Sequence, residues 1–291
     1  MALSWTASSG ATSYNVKRAT VSGGPYTTIA SPTTTSHTNT GLVNGTTYYY
    51  VVSAVNAAGE SANSAQVSAT PQAPPPTFQA AGTMVKGTGA ITPVWPAHQA
   101  GDVALLVVET ANQAVTLSTP AGFVEVTNSP QGTGTAAGTA ATRLAVYWKR
   151  ATSSAEANPT VADSGNHQIA TIITFRGVIA SGNPWDVTAG NVASSASTAV
   201  SIPGATTTVA DTLVVAIVAN GTDTPTAQTS GWTNASLTGL TERADSSTNS
   251  GNGGGFGVAT GVKATAGAYG ATTATLTTSS VQGRISIALK K

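Results

Sequence analysis

Hydrophobic positions along this chain come in short runs, and the runs have two kinds of spacing. Near the start they alternate with polar residues. Tyr14 and Val16 fall on one side of an extended segment, and Asn15 and Lys17 on the other. Tyr48, Tyr50, Val52 and Ala54 likewise share one strand face. Turn-forming clusters separate these runs at residues 22–25, 42–46 and 56–59. Further along, the runs become continuous, as at residues 103–108 and 213–219. Unbroken runs of this length suit strands covered on both faces, and they are far too short to cross a bilayer. No segment holds a helical period over a dozen residues. The pattern predicts an all-β protein.

Composition sharpens this picture. A length of 291 residues suggests about two domains, and an apolar fraction of 40% is enough for real cores. The charged fraction is 8%, against an ordinary value of about 25%. The surface must therefore rest on Thr, Ser, Asn and Gln. Disorder would need low hydrophobicity with high net charge, and the net charge here is only +1. That value also removes the basic footprint of a nucleic-acid binder. There is no cysteine, so disulfide and thiolate chemistry are excluded. Met1 runs straight into Leu3-Ser4-Trp5 with no basic start and apolar stretch, which predicts a soluble chain made in the cytoplasm or a fragment of an exported one.

Residues 1–71 carry Leu-Ser-Trp, Tyr-Asn-Val-Lys-Arg, Gly-Gly-Pro-Tyr, Leu-Val-Asn-Gly-Thr-Thr-Tyr and Val-Ser-Ala-Val-Asn-Ala-Ala-Gly. In this they resemble a fibronectin type III domain. The resemblance implies an immunoglobulin-like sandwich with a tyrosine corner at Tyr48, whose hydroxyl would bond backbone upstream near Leu42. It is nearly silent on function, because such sandwiches serve many roles. Domains with the Gly-Gly-Pro-Tyr variety are similar to those appended to secreted bacterial glycoside hydrolases and to phage virion proteins. The family's usual first strand has no counterpart beyond Met1-Ala2. Two readings follow: a cut chain, or an open sheet edge that takes a partner strand.

Residues 72–77 read as a Pro-rich, semi-rigid linker. Beyond it the chain repeats itself at a spacing of about 110 residues, the length of one immunoglobulin-like sandwich. The stretch around Asp102 matches that around Asp211, Pro120-Ala121-Gly122-Phe123 matches Thr229-Ser230-Gly231-Trp232, residues 146–152 match 259–265, and residues 170–176 match 284–290. The expected fold is a larger β-sandwich or jelly-roll-like region built from two similar halves, 78–188 and 189–291, packed closely together. Its motifs, such as Thr-Pro-Ala-Gly-Phe and Asn-Pro-Trp-Asp-Val, resemble a domain of phage tail and other virion proteins that also occurs in bacterial surface proteins.

Candidate chemistry is sparse. His37, His98 and His167 lie apart in the sequence, and no nucleophile elbow accompanies them. The acids Asp102, Glu109, Glu125, Glu156, Asp163, Asp211 and Glu242 are scattered, which argues against a glycosidase pair. Asp102 and Asp211 read as turn caps before strands. Calcium would need only one Asp and loop carbonyls, but no Asp-x-Asp-x-Asp run supports it, and zinc spacing is missing. The Gly-rich segment 251–257 lacks the Lys-Ser/Thr and helix of a phosphate loop, so it reads as a mobile loop or as close backbone packing. Trp5, Tyr14, Tyr48, Tyr50 and Trp148 read as core. Trp95 and Trp185, set beside prolines, are the candidate surface or glycan contacts.

These features predict a protein without enzymatic activity, catalytic residues, metal or cofactor. The leading expectation is a bacteriophage virion component, such as a capsid decoration, tail or fibre protein, located in the virion. Its partners would be other virion proteins or copies of itself, with host-surface glycans as outer contacts and with neither nucleic acid nor membrane insertion. The alternative is a carbohydrate- or surface-binding accessory region of a secreted bacterial protein such as a glycoside hydrolase, acting outside the cell or at its surface.

Overall fold

The structure is a computed structural model that describes residues 1–118 and 122–291. Among the described residues every regular element is a strand, so the protein is all-β. Among the described residues no helix is long and apolar enough to cross a membrane. The chain divides into two compact units, Met1–Ala73 and Pro74–Lys291. Part of the motif Pro120-Ala121-Gly122-Phe123 lies outside the described residues.

The first unit holds β1 (Ala2–Ser4), β2 (Ser13–Ala19), β3 (Thr27–Ala30), β4 (Ser36–Thr38), β5 (Tyr48–Asn56), β6 (Gly59–Glu60) and β7 (Val67–Ala69). β1 pairs with β4 in one sheet. The other sheet has the order β3-β2-β5-β6, with β7 also on β5. Across β2 and β5, Tyr14 faces Ala54 and Val16 faces Val52, so the apolar positions of both strands point the same way. Tyr48 and Tyr50 are buried as the alternation requires, while Val52 and Ala54 are half-buried. On the opposite face Ser53 is buried because its hydroxyl donates to Glu60, which pairs with Lys17 at 2.6 Å. The Tyr48 hydroxyl accepts the Val43 N–H at 3.0 Å, closing the corner, and Arg18 lies 5.1 Å over its ring.

The second unit begins with β8 (Thr77–Ala81), β9 (Val85–Gly87), β10 (Val103–Thr110), β11 (Leu117–Ser118), β12 (Val124–Glu125), β13 (Gln131–Thr133), β14 (Thr142–Arg150), β15 (Thr160–Val161) and β16 (Gln168–Arg176). It continues with β17 (Trp185–Ile202), β18 (Ala205–Thr207), β19 (Thr212–Asn220), β20 (Thr229–Thr233), β21 (Thr238–Thr248), β22 (Gly254–Lys263), β23 (Gly267–Tyr269) and β24 (Thr272–Leu289). One sheet has the order β12-β14-β10-β16-β8, with β13 on β14 and β9 on β16. The other has the order β17-β24-β19-β22-β21, with β20 on β24. Each is therefore built around an antiparallel trio, β14-β10-β16 and β22-β19-β24, and the two trios use their strands in the same chain order.

The continuous apolar runs are the two central strands. Val103, Leu105 and Val107 face one way and join Leu213, Val215, Ile217, Phe256 and Ile285 of the second sheet in a single shared core. Ala104, Leu106 and Val108 face the other way, against Ile91, Trp95 and Val161. In the second half Ala216 and Val218 meet Val200, Ile202 and Leu276, while Val214 meets Leu237 and Tyr269. Every residue of β10 and β19 is buried, which is why neither strand alternates. Each fully buried Val, Leu or Ile side chain contributes about 1.5–3 kcal/mol.

Candidate binding site

The two tryptophans predicted at the surface are buried, Trp95 to 7% and Trp185 to 8% exposure. The Trp95 indole donates to the Ala157 carbonyl at 3.2 Å, and its ring lies against His98 and Phe123 at centroid distances of 4.6 and 5.7 Å. Trp185 stands edge-on to Trp148 at 5.8 Å. Prolines mark both as loop residues, but these segments fold back onto the sheets and use the rings as plugs. Neither offers an open face for a sugar, and the assignment of both as glycan contacts is corrected. Trp5 departs in the other direction. It is half-buried, edge-on to Tyr14 at 5.5 Å, and walls two clefts of about 240 and 230 Å³.

The predicted titratable groups do not converge at an accessible place. His98 bonds the Pro96 carbonyl. His37 sits in β4 opposite Leu3. His167 and Glu109 do meet, at 2.9 Å, but both are fully buried between the two sheets, and Thr142 donates to the other Glu109 oxygen at 2.8 Å. Burial pushes the Glu109 carboxyl above the usual range, against the pull of His167 and Thr142. Gly254 of the opposite sheet packs its bare Cα against this pair, where a Cβ would collide with both. The neighbouring Asn252 N–H donates to Asn166 at 2.9 Å. The Gly-rich segment is thus close backbone packing that seals a polar pair inside, with no route for a substrate.

The remaining acids hold local structure. Asp102 is buried and pairs with Arg176. Glu156 pairs with Lys149 at 2.7 Å and accepts from the Thr152 N–H and hydroxyl. Burial raises the Glu156 carboxyl, but Lys149 and Thr152 outweigh it and bring it down to about 2. Asp163 accepts the Gly165 N–H. Glu125 accepts from Ser129. Among the described residues no three His, Asp or Glu come together as a metal cluster.

One open concavity in the second unit does bring a charge to a surface. A groove of about 400 Å³ is lined by Thr77 and Phe78 on one side and by Thr238, Gly239, Arg243 and Gly261 on the other. Phe78 lies in β8 and the opposite wall in β21 and β22, so the groove runs between the edges of the two sheets. Register along β21 shifts twice, between Thr238 and Thr241 and again between Glu242 and Ala244. Arg243 is therefore the extra residue of a bulge, a device that re-aims a side chain. Its guanidinium lies 4.5 Å over the Phe78 ring, and its Nε donates to the buried Thr260 hydroxyl at 2.8 Å. Burial disfavours its charged form and lowers its pKa. Nothing in the run Thr-Gly-Leu-Thr-Glu-Arg announces this site, because bulges leave no periodic signature; Gly239, at φ +63°, is the one hint.

Comparison with known proteins bears on the first unit. Residues 1–70 match the family model of the fibronectin type III domain, and that unit is such a domain. A stretch of 58 residues is 48% identical to a segment of the amylopullulanase of Thermoanaerobacterium saccharolyticum, covering 20% of this chain and 4% of that protein. A stretch of 74 residues is 47% identical to the amylopullulanase of Thermoanaerobacter thermohydrosulfuricus, covering 25% and 5%. The crystal structure of an Fn3-like protein from Clostridium thermocellum shares 59% identity, covering 23% of this chain and 71% of that one, with a TM-score of 0.23. The matched stretches are thus small parts of the amylopullulanases. These relatives overturn the expectation of a bacteriophage virion component: both are amylopullulanases of bacteria.

Proposed function

We propose that this chain is a non-catalytic accessory region of an extracellular bacterial enzyme that degrades polysaccharide, and that it holds the enzyme against carbohydrate or a carbohydrate-bearing surface. One observation carries the reading: a stretch of 58 residues and one of 74 residues are each close to half identical to segments of two amylopullulanases. The scattered acids and the sealed Glu109–His167 pair fit a binding role better than hydrolysis, which needs two carboxyl groups facing across an open cleft. A surface of hydroxyls and amides with 8% charged residues suits a neutral glucan such as pullulan, which is bound by hydrogen bonding and contact rather than by long-range attraction. The gene provides a test. Sequenced through both flanks, it should encode a polysaccharide-cleaving domain in the same or an adjacent reading frame. Capsid and tail genes on both sides would overturn the proposal.

A further inference from the structure

We infer that the groove at Arg243 binds the carboxylate of an acidic saccharide, a uronate-bearing sugar. The inference does not depend on the enzyme association proposed above, since a neutral glucan and a uronate would be held by different groups.

The charge is the first argument. Among the described residues no ion pair reaches Arg243. The nearest acids in sequence are committed elsewhere: Glu242 accepts the Trp232 indole N–H at 2.6 Å, and Asp245 accepts the N–H groups of Gln228 and Thr229 at 3.1 and 2.6 Å. A partly buried cation without a counter-ion is costly, and an anionic ligand relieves that cost. Thr260 holds the guanidinium through Nε and the Phe78 ring lies 4.5 Å beneath it, which leaves the two Nη groups as a fork for a ligand. A carboxylate matches that fork with two parallel hydrogen bonds.

The shape is the second argument. A volume of about 400 Å³ lies in the range of small-ligand sites and admits one or two sugar rings. Leu213, Val262 and Phe78 give an apolar floor for the C–H face of a pyranose, and Thr77 and Thr238 set hydroxyls at the exposed rim. Gly239, exposed and with open space where a Cβ would stand, leaves bare backbone at that rim, so a ring can come close.

Calorimetric titration of the intact chain with trigalacturonate tests this, with maltotriose, acetate and a poly-glutamate peptide as comparison arms. Trigalacturonate should bind, Arg243→Gln should cost about tenfold or more of that affinity, the loss expected for a charge-assisted hydrogen bond, and any binding of maltotriose or the peptide should be unchanged by Arg243→Gln. Arg243→Lys should fall between, because it keeps the charge and loses the fork. Unchanged trigalacturonate affinity in Arg243→Gln, maltotriose or peptide binding that Arg243→Gln weakens to the same extent, or no binding at about 10 mM trigalacturonate would each overturn the inference. Amide shift mapping on the unmutated chain keeps the test independent of whether the variant folds. The largest shifts should fall on Thr238, Gly239 and Gly261, and shifts centred elsewhere would contradict it.

Discussion

Asp102 holds Arg176 at two points, Oδ1 to Nε at 2.9 Å and Oδ2 to Nη2 at 2.8 Å, and so ties the start of β10 to the end of β16. The second half closes the same corner with Asp211 and Lys291 at 2.7 Å. Val103 faces Phe175 and Leu213 faces Leu289, so the second corner lies one residue further out along both strands. Burial raises the Asp102 carboxyl, but Arg176 and the Gln99 N–H outweigh that and leave it below the usual range. A depressed folded-state value means that its stability is complete above about pH 4 and is lost as pH falls through the lower value. Asp102→Asn is expected to cost about 2 kcal/mol at neutral pH and to flatten the acid limb of the stability curve, read by denaturant melts between about pH 2 and 7.

The Glu109–His167 pair gives the opposite pH sign. Its carboxyl lies above the usual range in the folded state, so the contribution is greatest below about pH 4.5 and declines as pH rises through the raised value. Glu109→Gln keeps the shape without the charge and should flatten the curve above that point. Thermal melts across about pH 4 to 8 check it, and an unchanged slope would show that the Glu109 carboxyl does not titrate in this range.

Gly254→Ala should destabilise the second unit by about 1–3 kcal/mol, because the added methyl has to displace the sealed pair. Chemical denaturation measures this directly, and a stability equal to the parent would contradict the packing described.

In the first unit, Tyr48→Phe removes the acceptor for the Val43 N–H and should cost about 1 kcal/mol. The corresponding loss should show in melts of the fibronectin type III unit, with the second unit unaffected.

The plugs Trp95 and Trp185 are predicted to act on stability rather than on binding. Trp95→Ala or Trp185→Ala should each cost about 3–5 kcal/mol. Circular-dichroism melts report the loss, and a variant as stable as the parent would show that its ring does not pack.

Strand content and the duplication are legible because both rest on side-chain pattern. Alternation exposes β2 and β5, unbroken apolar runs expose β10 and β19, and the Asp before each run marks the repeat. Tyr48 is legible because a short local spacing sets its bond. Trp95 and Trp185 are misleading because proline and asparagine report local turns, whereas burial depends on where a turn lands. The Glu109–His167 pair spans 58 positions of sequence, and only the pairing of β10 with β16 brings its strands side by side. Arg243 needs two bulges and the edge of another sheet, and no local pattern encodes either.

The proposed role of this chain is to bind carbohydrate on behalf of a polysaccharide-degrading enzyme. Native electrophoresis of the intact chain through gels containing pullulan, amylopectin or polygalacturonate tests it most directly. Retardation is expected in at least one neutral glucan relative to a polysaccharide-free gel, with no release of reducing sugar. Unchanged mobility in every gel would contradict it, as would hydrolysis of any of the polymers.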